Sequence, residues 1–185
     1  MYIMNIKQLI GLAILLGSAV IANASNLAVK PVDEIQPPEL PAACTIGLQV
    51  QAGSEVSFHV YAIGVQIYRW NGTAWTFVAP SANLYADDGY HGRVGTHYAG
   101  PTWESNSGSK VIGRRTGDCT PDATAIPWLR LDMVSTDGPG IFSTVSQILR
   151  VNTTGGLIPT TPGTTVGQEV RVPYTAEYYF YTAAA

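Results

Sequence analysis

Charge is scarce in this 185-residue chain: 10 Lys and Arg and 13 Asp and Glu make up 12% of it, about half the usual share. The net charge is −3 and Lys and Arg never cluster, so a nucleic-acid partner is excluded. Cysteine is limited to Cys44 and Cys119, and without a CxxC spacing they do not form a zinc site. No apolar run reaches the roughly 20 residues that a membrane-spanning helix needs. The GxGxxG, GxSxG and HExxH patterns are missing. That removes the sequence grounds for a nicotinamide-binding unit, a serine-nucleophile elbow and a zinc-hydrolase helix. The 12 prolines and 19 glycines follow no period, which rules out collagen-like and low-complexity readings.

What is present begins with an address. Lys7 precedes an apolar stretch from Leu9 to Ile21, and Ala22-Asn23-Ala24 supplies a small-x-small site. This three-part pattern predicts a secretory signal over residues 1–24, cleaved after Ala24. The apolar stretch is too short for the alternative, a membrane anchor. An exported protein, periplasmic or extracellular, with no stable membrane insertion after cleavage, is expected. Residues 25–43 read as an extended arm, because Pro31, Pro37, Pro38 and Pro41 deny it a helix. Residues 44–185 read as one domain. In an oxidising compartment Cys44 and Cys119 can pair, and closing so long a loop contributes roughly 4 kcal/mol. The alternative is two unpaired buried thiols.

From Ile46 onward the pattern has period two. Phe58, Val60 and Ala62 alternate with Ser57, His59 and Tyr61, and then Ile63, Val65 and Ile67 alternate with Gly64, Gln66 and Tyr68. Such alternation predicts half-buried strands. Asn71-Gly72 separates this run from Ala74–Val78 and predicts a hairpin. Further strands are expected within 94–98, 110–114, 128–134, 141–151, 169–172 and 177–182. Residues 81–86 could make one helical turn. The fold class is therefore all-β, a single antiparallel sandwich or closed barrel-like domain. A membrane-spanning barrel is not favoured, because the strands lack a repeated ten-residue lipid-facing alternation.

Several phrases occur in a telling order: Gly64–Tyr68 (GVQIY), Gly95–Glu104 (GTHYAGPTWE), Ile126–Leu129 (IPWL), Arg150–Gly156 (RVNTTGG) and Val172–Tyr181 (VPYTAEYYFY). With them the chain resembles the exported family catalogued as domain of unknown function number 3455. The resemblance covers about residues 45–182 and implies a secreted all-β domain without an established activity. It also implies a cysteine after the QIY phrase and another near the GG segment. Here those places read Trp70 and Pro162-Gly163-Thr164, so Cys44 and Cys119 would be this chain's own substitute.

Chemistry-bearing groups are densest in His97–Glu104. If the Gly100-Pro101 turn brings its arms together, His97 and Glu104 are candidate catalytic residues, an acid–base pair. Tyr98, Trp103 and Arg150 are candidate ligand-binding residues. His59 or His91 could add a third metal ligand, but no ligand spacing supports a metal, and no cofactor is expected. The alternative is structural: His97 bonds a buried carbonyl, Glu104 pairs with an arginine such as Arg150, and Trp103 fills the core. Tyr61, Tyr68, Trp70, Tyr179 and Tyr181 could likewise bind a ligand or simply pack. The resulting expectation is an exported soluble β-domain that binds a small molecule, a glycan or a protein partner. The alternatives are an enzyme of hydrolase or isomerase type built on His97 and Glu104, and a coat-like protein that self-associates.

Overall fold

The alternation that starts at Phe58 does not stop at Ala62. Glu55–Trp70 form one 16-residue strand, β1, in a computed structural model that describes residues 35–183. The expected secretory signal and most of the expected arm lie outside the described residues. Seven strands follow: β2 (Trp75–Tyr85), β3 (Arg93–Tyr98), β4 (Thr102–Ser105), β5 (Lys110–Cys119), β6 (Trp128–Asp137), β7 (Val145–Gly155) and β8 (Glu169–Thr182). Each pairs antiparallel with the next, and β8 pairs with β1 to close a barrel. The closing ladder runs from Glu55–Thr182 to Arg69–Glu169, so the sheet has no open edge to protect there. Of the two all-β architectures compatible with the sequence, the structure is the closed one.

Local chemistry explains the hairpins. Between β1 and β2, the Asn71 carboxamide oxygen accepts from the Thr73 and Ala74 amides, both at 2.9 Å, and Gly72 takes φ +103°, which a glycine adopts without strain. Residues 81–85 form no helical turn. Ser81 and Asn83 pair with Val65 and Ile63 in the ladder, while Ala82 and Leu84 point into the core. The segments expected at 169–172 and 177–182 are one strand, continuous through Pro173.

The interior is packed at one end. Phe58 stacks on Phe180 with ring centroids 4.4 Å apart and planes 11° apart, and Phe142 tilts against both. Val60, Val111, Val145 and Ile148 complete this plug. Such aromatic pairs contribute about 0.5–1.5 kcal/mol each beyond their buried area. The outer wall is covered on one side. Leu40, Cys44, Leu48 and Val50 lie over Trp128, Leu149, Val151, Tyr179 and Tyr181, and a Cys44–Cys119 disulfide spanning 75 residues pins this strap to the end of β5. Elsewhere the outer wall carries ion pairs, among them Arg69–Glu169 at 2.6 Å. Among the described residues no helix is long and apolar enough to cross a membrane.

Candidate functional site

The end of the barrel opposite the phenylalanine plug is hollow. A cleft of about 560 Å³ opens there between the late half of β1, the start of β2, the β3–β4 turn and the inner faces of β5 to β8. An eight-stranded barrel is just wide enough to be filled by side chains or to hold one small ligand, and this one does each in half its length. The wall is mainly apolar. Phe77, Val78 and Pro80 come from β2, Pro101 from the β3–β4 turn, and Ile126, Leu129 and Leu131 from the β6 region.

Polar groups enter this wall because the inner parity of β1 carries on past Ala62. Gln66 and Tyr68 continue it, and both are buried, whereas Ile63 on the opposite parity is 41% exposed. The Tyr68 hydroxyl donates to the Gly156 carbonyl at 2.6 Å, and burial raises its pKa. Gln66 Nε2 has no hydrogen-bond partner, nor has the indole Nε1 of Trp103, although Trp103 is only 1% exposed. A buried donor without a partner is unfavourable by about 1–3 kcal/mol, and in native proteins such groups are few. Two of them line one cleft.

His97 forms part of the same wall. Its Nδ1 lies 2.9 Å from the Thr102 carbonyl; a carbonyl only accepts, so Nδ1 carries the proton and Nε2 the lone pair. Complete burial pushes its pKa down to about 3, against the Thr102 hydrogen bond, which favours the proton; the charge of Arg150 lowers it further. The ring is a neutral imidazole stacked on Trp103, with Tyr178 tilted against both.

Arg150 is the charged group of the inner wall. The register places it between Leu129 and Tyr178, on the same face as Ile148. Its Nε and Nη2 donate to the Pro127 carbonyl at 3.2 and 2.7 Å. Among the described residues no carboxylate lies within ion-pair distance of it. Arg115, the other cation beside the cleft, pairs with Asp118 at 2.7 Å. Among the described residues no Asp or Glu lines the cleft.

The structure does not bring His97 and Glu104 together. His97 pairs across the ladder with Trp103, and Glu104 with Thr96, so the imidazole faces inward and the carboxylate outward. There Glu104 accepts from the Tyr98 hydroxyl at 2.6 Å and stands 3.7 Å from Lys110 Nζ. Tyr98 therefore belongs to the outer wall rather than to the cleft, and Glu104 is not paired with Arg150. Trp103 and Arg150 do meet at the cleft. The other histidines are elsewhere. His91 contacts Asp87 at 3.1 Å in the β2–β3 loop. On the outer wall His59 stacks on Tyr179, and its Nε2 lies 2.9 Å from a Glu177 carboxylate oxygen. Contact with His59, followed by the Asn152 amide and the Tyr179 hydroxyl, holds the Glu177 carboxyl below its usual range against the opposing effect of burial. Among the described residues no three His, Cys, Asp or Glu side chains are grouped as a metal site.

Tyr179 and Tyr181 pack beneath the N-terminal strap, and Trp70 packs against Trp75. Gly163 lies against the Trp70 ring. The two places where the family resemblance implies cysteines are thus neighbours, joined here by packing. Of the aromatics that the sequence offers for binding or packing, Tyr68 lines the cleft; Gln66, Tyr178 and Arg115 are not singled out by the sequence, and extending the Phe58–Ala62 parity is the signal that finds Gln66.

A family model described as Protein of unknown function (DUF3455) matches residues 51–182. No curated protein and no solved structure matches the chain.

Proposed function

The chain belongs to the family described as Protein of unknown function (DUF3455), and from that premise we propose that it is an exported binding protein holding one small organic molecule in the mouth of its barrel. The observation that carries this reading is the half-empty interior. Folding that filled one end with three phenylalanines leaves about 560 Å³ open at the other, and two buried donors there, Gln66 Nε2 and Trp103 Nε1, have no partner. Concave, mainly apolar sites with a few convergent polar groups are where small molecules bind. Export is supported by the signal-like N-terminus and by the Cys44–Cys119 disulfide, which is at home in an oxidising compartment.

An enzymatic reading built on His97 and Glu104 has no geometric support, since the two face opposite sides of the sheet. His97 alone is a poor base at neutral pH, because a group that holds its proton only below about 3 has little driving force to take one.

The test uses a neutral fluorescent probe, N-phenyl-1-naphthylamine. It should bind with one-to-one stoichiometry and accept excitation energy from the buried Trp103. Leu129→Trp, which fills the cleft from β6 where Leu129 stands opposite Arg150, should abolish both signals while leaving the far-UV spectrum intact. Equal binding by the filled variant overturns the reading.

A further inference from the structure

We propose that the molecule held in the cleft is a small monoanionic organic acid, its carboxylate received by Arg150 and its apolar body lying against β2 and β6. This rests on the cleft being a binding site and goes on to its chemistry. Three features of the wall carry it.

The first is an inward guanidinium without a counter-ion. Arg150 sits on the inner parity of β7, opposite Tyr178, and no carboxylate among the described residues pairs with it. The residue is half-buried, and a charge partly withdrawn from water is better paired; the Pro127 carbonyl that takes two of its N–H groups supplies a dipole, not a charge. A carboxylate matches the planar donor fork of arginine.

The second is the sign of everything around it. Among the described residues no Asp or Glu lines the cleft, in a protein with more acidic than basic residues. His97 is neutral there and adds no positive charge. The unpartnered groups Gln66 Nε2 and Trp103 Nε1 are both donors. An amine or other cation would meet one guanidinium and two N–H groups, and would find a matching charge nowhere in the wall.

The third is the balance of charge against apolar surface. Arg115 already has a carboxylate partner in Asp118 across an exposed contact, so Arg150 is the cation of the lining without one. A phosphate, with its higher charge and three acceptor oxygens, would be under-served by this donor set. The apolar lining of Phe77, Val78, Pro80, Leu129 and Leu131 calls for a hydrocarbon or aromatic body behind the acid group.

The experiment titrates the full protein calorimetrically at pH 7 with three ligands sharing one body: octanoate, 1-octanol and octylamine. Octanoate is expected to bind about tenfold or more tighter than octanol, and octylamine weakest. Arg150→Met, which keeps an unbranched side chain without the charge, should remove the preference for octanoate over octanol. Arg150→Lys should retain part of the preference. Octanol binding as tightly as octanoate, or octylamine binding best, overturns the assignment of an acid and leaves the cleft standing as a binding site. If none of the three binds, and the neutral probe does not bind either, the cleft itself is refuted as a site. The comparison among the three ligands on the unaltered protein decides the question even if an Arg150 variant does not fold.

Discussion

The imidazole of His97 lies flat on the indole of Trp103, ring centroids 4.3 Å apart and planes 15° apart. This pair is the hinge between the packed and hollow halves of the barrel. Trp103 also meets Phe180 edge-on, on the side of the phenylalanine plug, while His97 and Trp103 both line the cleft. Burial that seals the stack also keeps His97 uncharged.

The consequence is a stability that depends on pH in a defined direction. The unfolded chain protonates His97 from about pH 6.5 downward, and the folded protein does so only near 3. The stability supplied by the neutral ring is therefore complete above about pH 6.5 and falls progressively as pH drops toward 3. Between pH 7 and pH 5 this amounts to roughly 2 kcal/mol. Urea unfolding across that range should show the slope in the native sequence, and His97→Asn, which keeps a donor for the Thr102 carbonyl, should flatten it. Equal slopes would place the pH dependence elsewhere.

Glu104 should behave as an outer-wall group. Its acceptance of the Tyr98 hydroxyl is the main reason that the phenol titrates above its ordinary value. Glu104→Gln should move the Tyr98 ionisation, followed by ultraviolet absorbance, back toward 10. Such a partly exposed pair contributes little, so stability should change by less than about 1 kcal/mol. Probe binding in the cleft should be unaltered; its loss would mean that Glu104 reaches the site.

Reducing the Cys44–Cys119 bond should lower the unfolding free energy by about 4 kcal/mol, the chain-entropy value for a loop of this length. The strap that it pins covers Tyr179 and Tyr181, so these phenols should become more accessible to iodination when it loosens. Burial raises the Tyr181 pKa to about 12, and reduction should bring it down. Denaturant titrations with and without dithiothreitol, compared with the Cys44→Ser/Cys119→Ser double variant, measure both effects.

At Gly64, β1 lies tightly against β2. A Cβ there would run into the Ser81 carbonyl oxygen and the Ala82 backbone, which cannot move without breaking the ladder. Gly64→Ala should therefore destabilise by about 2 kcal/mol or more, as overpacking does, and Gly167→Ala is the comparison. Gly167 has open space around it but a φ of +88°, so its loss reflects backbone strain alone.

Local chemistry is legible in a single chain wherever neighbours in sequence are also neighbours in space. The alternation around Phe58, the Asn71-Gly72 turn and the scarcity of helical patterns were enough to specify an antiparallel all-β domain, and two cysteines admit one internal pairing. Whether the sheet closes is decided by β1 meeting β8, whose paired residues lie 100 or more positions apart, and no local pattern encodes that. The same distance hid the site. His97 and Glu104 looked like partners because they flank one tight turn. A side chain's face, however, is set by ladder register, and the pairing of His97 with Trp103 sends the carboxylate to the other side. Arg150 is legible as a candidate ligand-binding residue, but Gln66 reads only as the polar phase of an alternating strand. Only closure of the barrel turned their parity inward, toward a space that the phenylalanines at the other end leave unfilled.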